Sequence, residues 1–347
     1  MTEYAANIEI ENLPWLLPVW QKLVDRIRQN RLPHALMLKG VSGLGKRLLA
    51  DQLAARMLCM QNETYACGSC KSCQLVAAGS HSDLLVCAPE DESKVIKVDQ
   101  VRLLNDFVSQ SPHVSAVKVV ILDPASALNQ NAANALLKNL EEPSGRVIYI
   151  ILDHLAGNVL PTIRSRCQVV DIRPPSETDL VDWINQHLPT SHDSPITEDT
   201  IADVMQLASG APLALKQLMA EEAHLKQREL ITSLGGVLKN KVTPVDAAKV
   251  WLTIPMMKLI AWQIAWLDNI IRYQLTKDRS MLKPASAVDM FKYLADSIPC
   301  DHLFELRQLI LDAQMGLNSN LNESLLVEDL LIKWKALMGF RQKKSAS

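Results

Sequence analysis

Gly40-Val41-Ser42-Gly43-Leu44-Gly45-Lys46 is the first stretch of this chain whose residue types and spacing could do chemistry. It follows the short apolar run His34–Lys39 and precedes a helical pattern in which Leu49, Leu53 and Met57 recur about one turn apart. A G-x-x-x-x-G-K run between strand and helix is the form of a phosphate loop. Its glycines let the backbone wrap a phosphate, amides at the helix N-terminus face it, and the lysine reaches the outer oxygens. The competing reading is a glycine-rich turn with no ligand. Phosphoryl transfer further needs a hydroxyl after the lysine to hold Mg²⁺, and Arg47 offers a guanidinium with no acceptor. Val119-Val120-Ile121-Leu122-Asp123 is an apolar strand ending in an acid, the form of a Walker B element, and Pro124 follows it. Asp123 reads equally well as a cap at a strand end.

Cys59, Cys67, Cys70 and Cys73 form C-x₇-C-x₂-C-x₂-C. The two-residue spacings let successive thiolates converge on one ion. Four of them close a tetrahedral site of the structural zinc type, with no position open for catalysis. An iron–sulfur cluster and unligated thiols stand as the alternatives. Cys87, Cys167 and Cys300 stand alone and read as small buried side chains.

The elements that must position these residues alternate. Leu84–Ala88, Val117–Leu122, Val147–Leu152 and Gln168–Ile172 join His34–Lys39 as short runs rich in Val and Ile. Between them lie helical patterns through Val98, Val101, Leu104 and Phe107 or Val108, and through Leu128, Ala132, Leu136 and Leu140. Apolar strands alternating with amphipathic helices imply an α/β domain whose parallel sheet is covered on both faces. Arg173-Pro174-Pro175-Ser176 marks a boundary, after which only helical patterns appear: first Leu180, Trp183 and Ile184, then Ile201, Val204 and Leu207. From Glu222 onward the chain reads as all-α, with breaks at Gly235-Gly236, Pro244, Pro255, Pro284 and Pro299, and Arg341–Ser347 reads as a solvated tail.

With 347 residues, the length predicts two or three domains. The 36 basic and 38 acidic side chains leave a formal net charge of −2, which argues against a dedicated nucleic-acid coat. Met1-Thr2-Glu3-Tyr4 carries no secretory pattern, and a cluster of cysteines suits a metal site in a reducing cytoplasm. The most apolar stretch, Ile254 to Ile271, is interrupted by Lys258, Gln263 and Asp268. Leu259, Trp262, Trp266 and Tyr273 then read as the buried stripe of a helix outside any membrane.

Taken together, these motifs resemble the bacterial clamp-loader subunits of DNA polymerase III, members of the AAA+ class, over most of the chain. Arg31-Leu32-Pro33-His34-Ala35 is similar to the family's entry into its first strand, and the four-cysteine insertion is a mark of its delta-prime and gamma/tau branches. Gly79-Ser80-His81-Ser82-Asp83 resembles the family's Gly-Thr-His-Pro-Asp. Ala132-Ala133-Asn134-Ala135-Leu136-Leu137-Lys138-Asn139-Leu140-Glu141-Glu142-Pro143 is close to its most recognisable run, and Thr162-Ile163-Arg164-Ser165-Arg166-Cys167 carries its Ser-Arg-Cys motif. Asn320-Leu321-Asn322, Leu325 and Glu328-Asp329-Leu330-Leu331 resemble the closing helix of its collar.

The resemblance implies an AAA+ domain over 1–173 with a zinc module at about 59–73, a helical lid over 174–218, a helical collar over 219–340 and a tail over 341–347. It makes Arg166, with Ser165, an arginine finger that reaches ATP bound by a neighbouring subunit. Four departures from the motor subunits favour the delta-prime branch. These are Arg47 after the loop lysine, Pro124 in place of a glutamate, Asp153-His154 at the sensor position, and no arginine near Gly210-Ala211-Pro212-Leu213. The implied protein hydrolyses no ATP alone but works within a DNA-directed DNA polymerase holoenzyme. It carries structural Zn²⁺, joins gamma/tau and delta in a heteropentameric ring, and meets the sliding clamp and primer–template DNA through that complex. Lys46 leaves weak nucleotide binding open. A gamma/tau-type motor that hydrolyses ATP is the alternative. A small-molecule P-loop kinase would leave the cysteines and the Ser-Arg-Cys motif unexplained.

Overall fold

The computed structural model describes residues 10–61, 64–90, 95–143, 146–155, 159–187, 203–205, 207–316 and 322–340. Met1–Tyr4, Ile201, Asn320, Leu321 and the 341–347 tail, each of which carried a sequence expectation, lie outside them. The chain separates into two compact units. One comprises Met1–Gln186 with Ala211–Ala214, the other His187–Gly210 with Leu215–Ser347, so the segment expected as a lid is divided between them.

The first unit is built on five parallel strands: β1 (Ala35–Lys39), β2 (Leu84–Cys87), β3 (Lys118–Leu122), β4 (Val147–Asp153) and β5 (Gln168–Asp171), in the order β2-β3-β4-β1-β5. Leu36–Leu38, Val119–Leu122 and Ile150–Leu152 are buried on both faces, as a parallel sheet covered by helices requires. The helices are α1 (Leu17–Arg28), α2 (Lys46–Leu58), α3 (Lys71–Ala77), α4 (Val98–Ser109), α5 (Gln130–Glu141), α6 (Pro161–Arg164) and α7 (Glu177–His187). Val101, Leu104 and Val108 of α4 and Ala132, Leu136 and Leu140 of α5 share a core with Val120, Leu122 and Ile151. Leu128, which the periodicity assigns to the helix of Leu136, instead precedes it. The Asn129 side chain accepts from Ala132 N–H and starts α5 one residue later. The unit is thus the expected α/β domain on a five-stranded parallel sheet.

The second unit is helical. It contains α9 (Ala223–Leu238), α10 (Pro244–Trp251), α11 (Met256–Thr276), α12 (Val288–Ser297), α13 (Cys300–Gly316) and α14 (Glu323–Ala336), and α8 (Pro212–Ala220) runs into it from Ala211–Ala214. Trp251 and Trp266 meet edge to face with centroids 6.2 Å apart. Trp334 Nε1 donates to the buried Gln263 Oε1 at 2.9 Å, which accounts for a polar residue within the apolar stripe of α11. Leu259, Trp262, Trp266 and Tyr273 are all buried. Among the described residues no single helix is long and apolar enough to cross a membrane. The pair α10–α11 is apolar enough together but bends by 115°.

Gly79–Asp83 proves to be a structural staple. Asp83 is fully buried; its Oδ1 accepts from His113 N–H at 2.7 Å, and its Oδ2 from Val114 and Ser115 N–H at 2.7 and 2.8 Å. His81 Nδ1 accepts from Asp83 N–H, so its Nε2 is the protonated nitrogen and faces Ser72 Oγ at 2.8 Å. Ser72 and Ser115 both donate to Leu58 O, at 2.6 and 2.8 Å. One small network thus ties the end of α2, the start of α3 and the loop before β3. Burial opposes the charge on Asp83, but the N–H donors of His113, Ser115 and Val114 outweigh it and hold the carboxyl below its ordinary range.

A carboxyl whose folded pKa is depressed contributes stability above its unfolded pKa, near 4, and loses it as pH falls through the folded value. Asp83→Asn is therefore expected to cost about 3 kcal/mol at pH 7, from three weakened or orphaned buried donors. In urea unfolding of both proteins, the gap should narrow as pH is lowered below about 4. A gap that stays constant with pH would contradict the assignment.

Candidate phosphate-loop and metal sites

The C-terminal ends of the parallel strands carry the residues of the first candidate site. Gly40 follows β1, Asp123 follows β3, and Asp153-His154 closes β4, the edge at which open α/β sheets place their ligands. Lys46 opens α2 but turns back on its own loop: Nζ donates to Gly40 O at 2.8 Å and Val41 O at 2.6 Å, and the residue is only 2% exposed. Burial lowers its pKa to about 8, with Asp123 and Asp153 acting in the opposite direction.

Arg47 bridges two carboxylates. Nε donates to both Asp51 oxygens at 3.0 and 3.1 Å, and Nη1 to Asp123 Oδ2 at 3.2 Å. The other Asp123 oxygen is 2.7 Å from His154 Nε2. Burial works against ionised Asp123, and His154 and Arg47 together hold its pKa down nonetheless. Both lone-pair faces of the acid are thus engaged by side chains.

The loop is also covered. Leu213 N–H donates to Gly43 O at 3.0 Å, and a Cβ on Gly43 would lie 2.4 Å from the Ala214 Cβ. Trp15 Nε1 donates to Leu44 O at 2.9 Å from the other direction. Ala211–Ala214, the place without the lid arginine, therefore lies directly on the loop. Sequence reasoning missed this contact and the part played by Asp51, although Arg47 and Asp51 stand at helical i, i+4 spacing, which was readable.

Arg166 lies elsewhere. It sits in the turn between α6 and β5, at the N-terminal start of an edge strand, whereas the loop follows the C-terminal end of β1. Since Lys39 pairs with Asp171, the two levels are separated by about 15 Å of strand. Its guanidinium pairs with Glu141 at the end of α5, Nε donating at 2.8 Å, and Nη1 donates to Thr162 O at 2.8 Å and Ser165 Oγ at 3.3 Å. The run 132–143 thus supplies the carboxylate that holds Arg166.

The four cysteines converge. The Cys59, Cys67, Cys70 and Cys73 sulfurs all lie within 4.8 Å of one another, and those of Cys67 and Cys73 are 3.9 Å apart. An ion about 2.3 Å from each of four sulfurs needs separations near 3.8 Å, so the set fits a tetrahedral metal. Backbone N–H groups already point at the sulfurs. Gln61 and Cys67 donate to Cys59 at 3.4 and 3.5 Å, Cys70 to Cys67 at 3.4 Å and Cys73 to Cys70 at 3.5 Å. Such donors favour thiolates: the Cys67 pKa is lowered to about 6, first by the Cys70 and Ser69 N–H groups. Burial pushes Cys73 up to about 12, and Cys87 and Cys167, outside the cluster, to about 11.

The sequence profile described as "DNA polymerase III, delta subunit" matches residues 17–176, and that of "DNA polymerase III, delta subunit, C terminal" matches 221–336. A Pseudomonas aeruginosa protein named DNA polymerase III subunit delta' is 37% identical over 94% of this chain and 98% of its own length. Proteins of the same name from Haemophilus influenzae and Escherichia coli are 29% and 34% identical, over 76% and 57% of this chain and 79% and 58% of their own. A solved Thermotoga maritima protein, related to a DNA polymerase III gamma subunit, aligns over 92% of this chain and 99% of its own at 17% identity and a TM-score of 0.39.

Gly43 has φ of +83° as well as the close approach of Ala214, so Gly43→Ala should destabilise the chain by about 2–4 kcal/mol. Gly79 shares the left-handed backbone, with φ of +66°, but has open space around it, and Gly79→Ala should cost only about 1 kcal/mol. Urea midpoints of the two variants check this; equal costs would mean that Ala214 does not press on the loop.

Proposed function

The chain belongs to the family of DNA polymerase III delta-prime subunits, and from that membership we propose that it is a clamp-loader subunit that hydrolyses no ATP itself and lends Arg166 to a neighbouring ATPase subunit. The observation that carries this reading is the pairing of Arg47 with Asp123. A guanidinium beside the strand-end acid has no acceptor with which to ligate Mg²⁺, and Pro124 supplies no side-chain group to orient water. Lys46 donates to its own loop carbonyls, and weak nucleotide binding without turnover is compatible with this reading.

Arg166 suits action in trans. It stands at the opposite end of the sheet from the chain's own loop, is partly exposed, and is held by a surface carboxylate that it can exchange for a phosphate oxygen. A cation brought to the γ-phosphate of a neighbour stabilises the charge that builds there during transfer. In this reading residues 174–218 act as a lid and 219–340 as the collar through which the chain joins gamma/tau and delta in a ring that loads the sliding clamp on primed DNA. Cys59, Cys67, Cys70 and Cys73 hold structural Zn²⁺. The ion would supply cross-linking of the 59–73 segment and no catalysis, because four thiolates leave it no open position.

The test compares clamp- and DNA-stimulated ATP turnover of a loader reconstituted with gamma/tau and delta, using the wild-type chain and Arg166→Ala, alongside the chain alone. Silence of the isolated chain and a loss of about tenfold or more on removing Arg166 are expected. Turnover by the isolated chain that Lys46→Ala abolishes would overturn the reading in favour of a motor subunit.

A further inference from the structure

Glu141 is the last residue of α5, and its carboxylate pairs with the Arg166 guanidinium. Its Oε1 accepts from Nε at 2.8 Å and also from Nη2. The remaining terminal nitrogen, Nη1, donates to Thr162 O at 2.8 Å and Ser165 Oγ at 3.3 Å. An oxyanion gripped by two parallel N–H groups takes one edge of such a fork. Glu141 fills the Nε–Nη2 edge, and the Nη1 side is committed to the turn that carries Arg166. A phosphate that takes two N–H groups must therefore displace one of these partners. Thr162 O belongs to the main chain of α6, whereas the half-exposed Glu141 side chain can swing into solvent, so Glu141 is the partner that yields.

The bland account is a surface ion pair that ties the end of α5 to the turn before β5. With side chains 32% and 49% exposed, such a pair contributes little to stability. Nor does the carboxylate suit its helix. In the last turn it lies at the negative end of the helix dipole, where a lysine or arginine is favoured. What the pair does accomplish is to keep the guanidinium neutralised and its fork occupied when no phosphate is near.

We propose that Glu141 is a stand-in for the phosphate, an intramolecular competitor that holds Arg166 until ATP on the neighbouring subunit replaces it. This rests on the reading of Arg166 as a finger acting in trans. Glu141 touches no substrate and acts only through Arg166. Each engagement of the γ-phosphate costs the ion pair, so Glu141 raises the ATP concentration at which Arg166 is drawn across and does not set the rate once it is there. A carboxylate that instead aimed Arg166 would stay in place and would speed turnover at saturating ATP.

The test uses the loader reconstituted from gamma/tau, delta and the full chain, in wild-type form and as Glu141→Gln, Glu142→Gln, Arg166→Ala and the double variant Glu141→Gln with Arg166→Ala. The ATP dependence of clamp- and DNA-stimulated turnover gives KM and kcat separately. Glu141→Gln is expected to lower KM by about two- to fivefold, the range of an exposed ion pair, and to leave kcat unchanged. Glu142→Gln removes the same charge one residue along, where no ion pair forms among the described residues, and should leave KM as it is. In the Arg166→Ala background, Glu141→Gln should change neither constant. An unchanged KM, a fall in kcat, an equal shift in Glu142→Gln, or a shift that persists without Arg166 would each overturn the proposal. Turnover that Arg166→Ala leaves intact would fail at the earlier step and remove the finger reading itself.

Discussion

The ion pair between Arg47 and Asp123 determines what the rest of the loop can do. In a working phosphate loop, positive charge from the lysine and the metal waits for a triphosphate, and the strand-end acid keeps the metal in place. Here the acid is already engaged by Arg47 and His154, and Arg47 is further held by Asp51. The two cations Lys46 and Arg47 meet the two carboxylates Asp51 and Asp123, and the buried Asp153 has Arg164 at 3.7 Å. Charge at this edge of the sheet is thus balanced by the chain alone.

Steric closure follows the electrostatics. Ala211–Ala214 lies on the loop through the Leu213–Gly43 hydrogen bond and the close approach of Ala214. The left-handed Gly43 admits the backbone of Ala214, and Gly45 admits the side chains of Leu13 and Leu16.

Much of this was legible in the sequence because periodicity and motif spacing are local. The five strands were expected to within about two residues at their ends, since fully buried parallel strands leave near-continuous apolar runs such as Val119–Leu122. The convergence of the cysteines was likewise set by short spacings. What could not be read was the destination of polar groups between distant segments. Nothing local says that Asp83 will take three N–H groups from residues 113–115, that Glu141 will hold Arg166, or that Ala214 will cover Gly43. The shift of Leu128 out of α5 has a different cause: one capping asparagine overrode an otherwise regular apolar repeat.

These observations bear on whether the first unit could be switched by nucleotide at all. A ligand shifts a conformational equilibrium only through its differential affinity for the two states. Helix α2, about 20 Å long, would have to transmit such a shift. Its first turn is tied to β3 by Arg47–Asp123, and the carbonyl of its last residue, Leu58, accepts from both Ser72 and Ser115. A nucleotide arriving at the loop would need to break the first tie, lift Ala211–Ala214 and release Lys46 from two carbonyls before gaining any contact of its own. Each of these ties is made by the chain's own groups. Arg166, at the opposite end of the sheet, is held by Glu141, Thr162 and Ser165 and shares none of these ties.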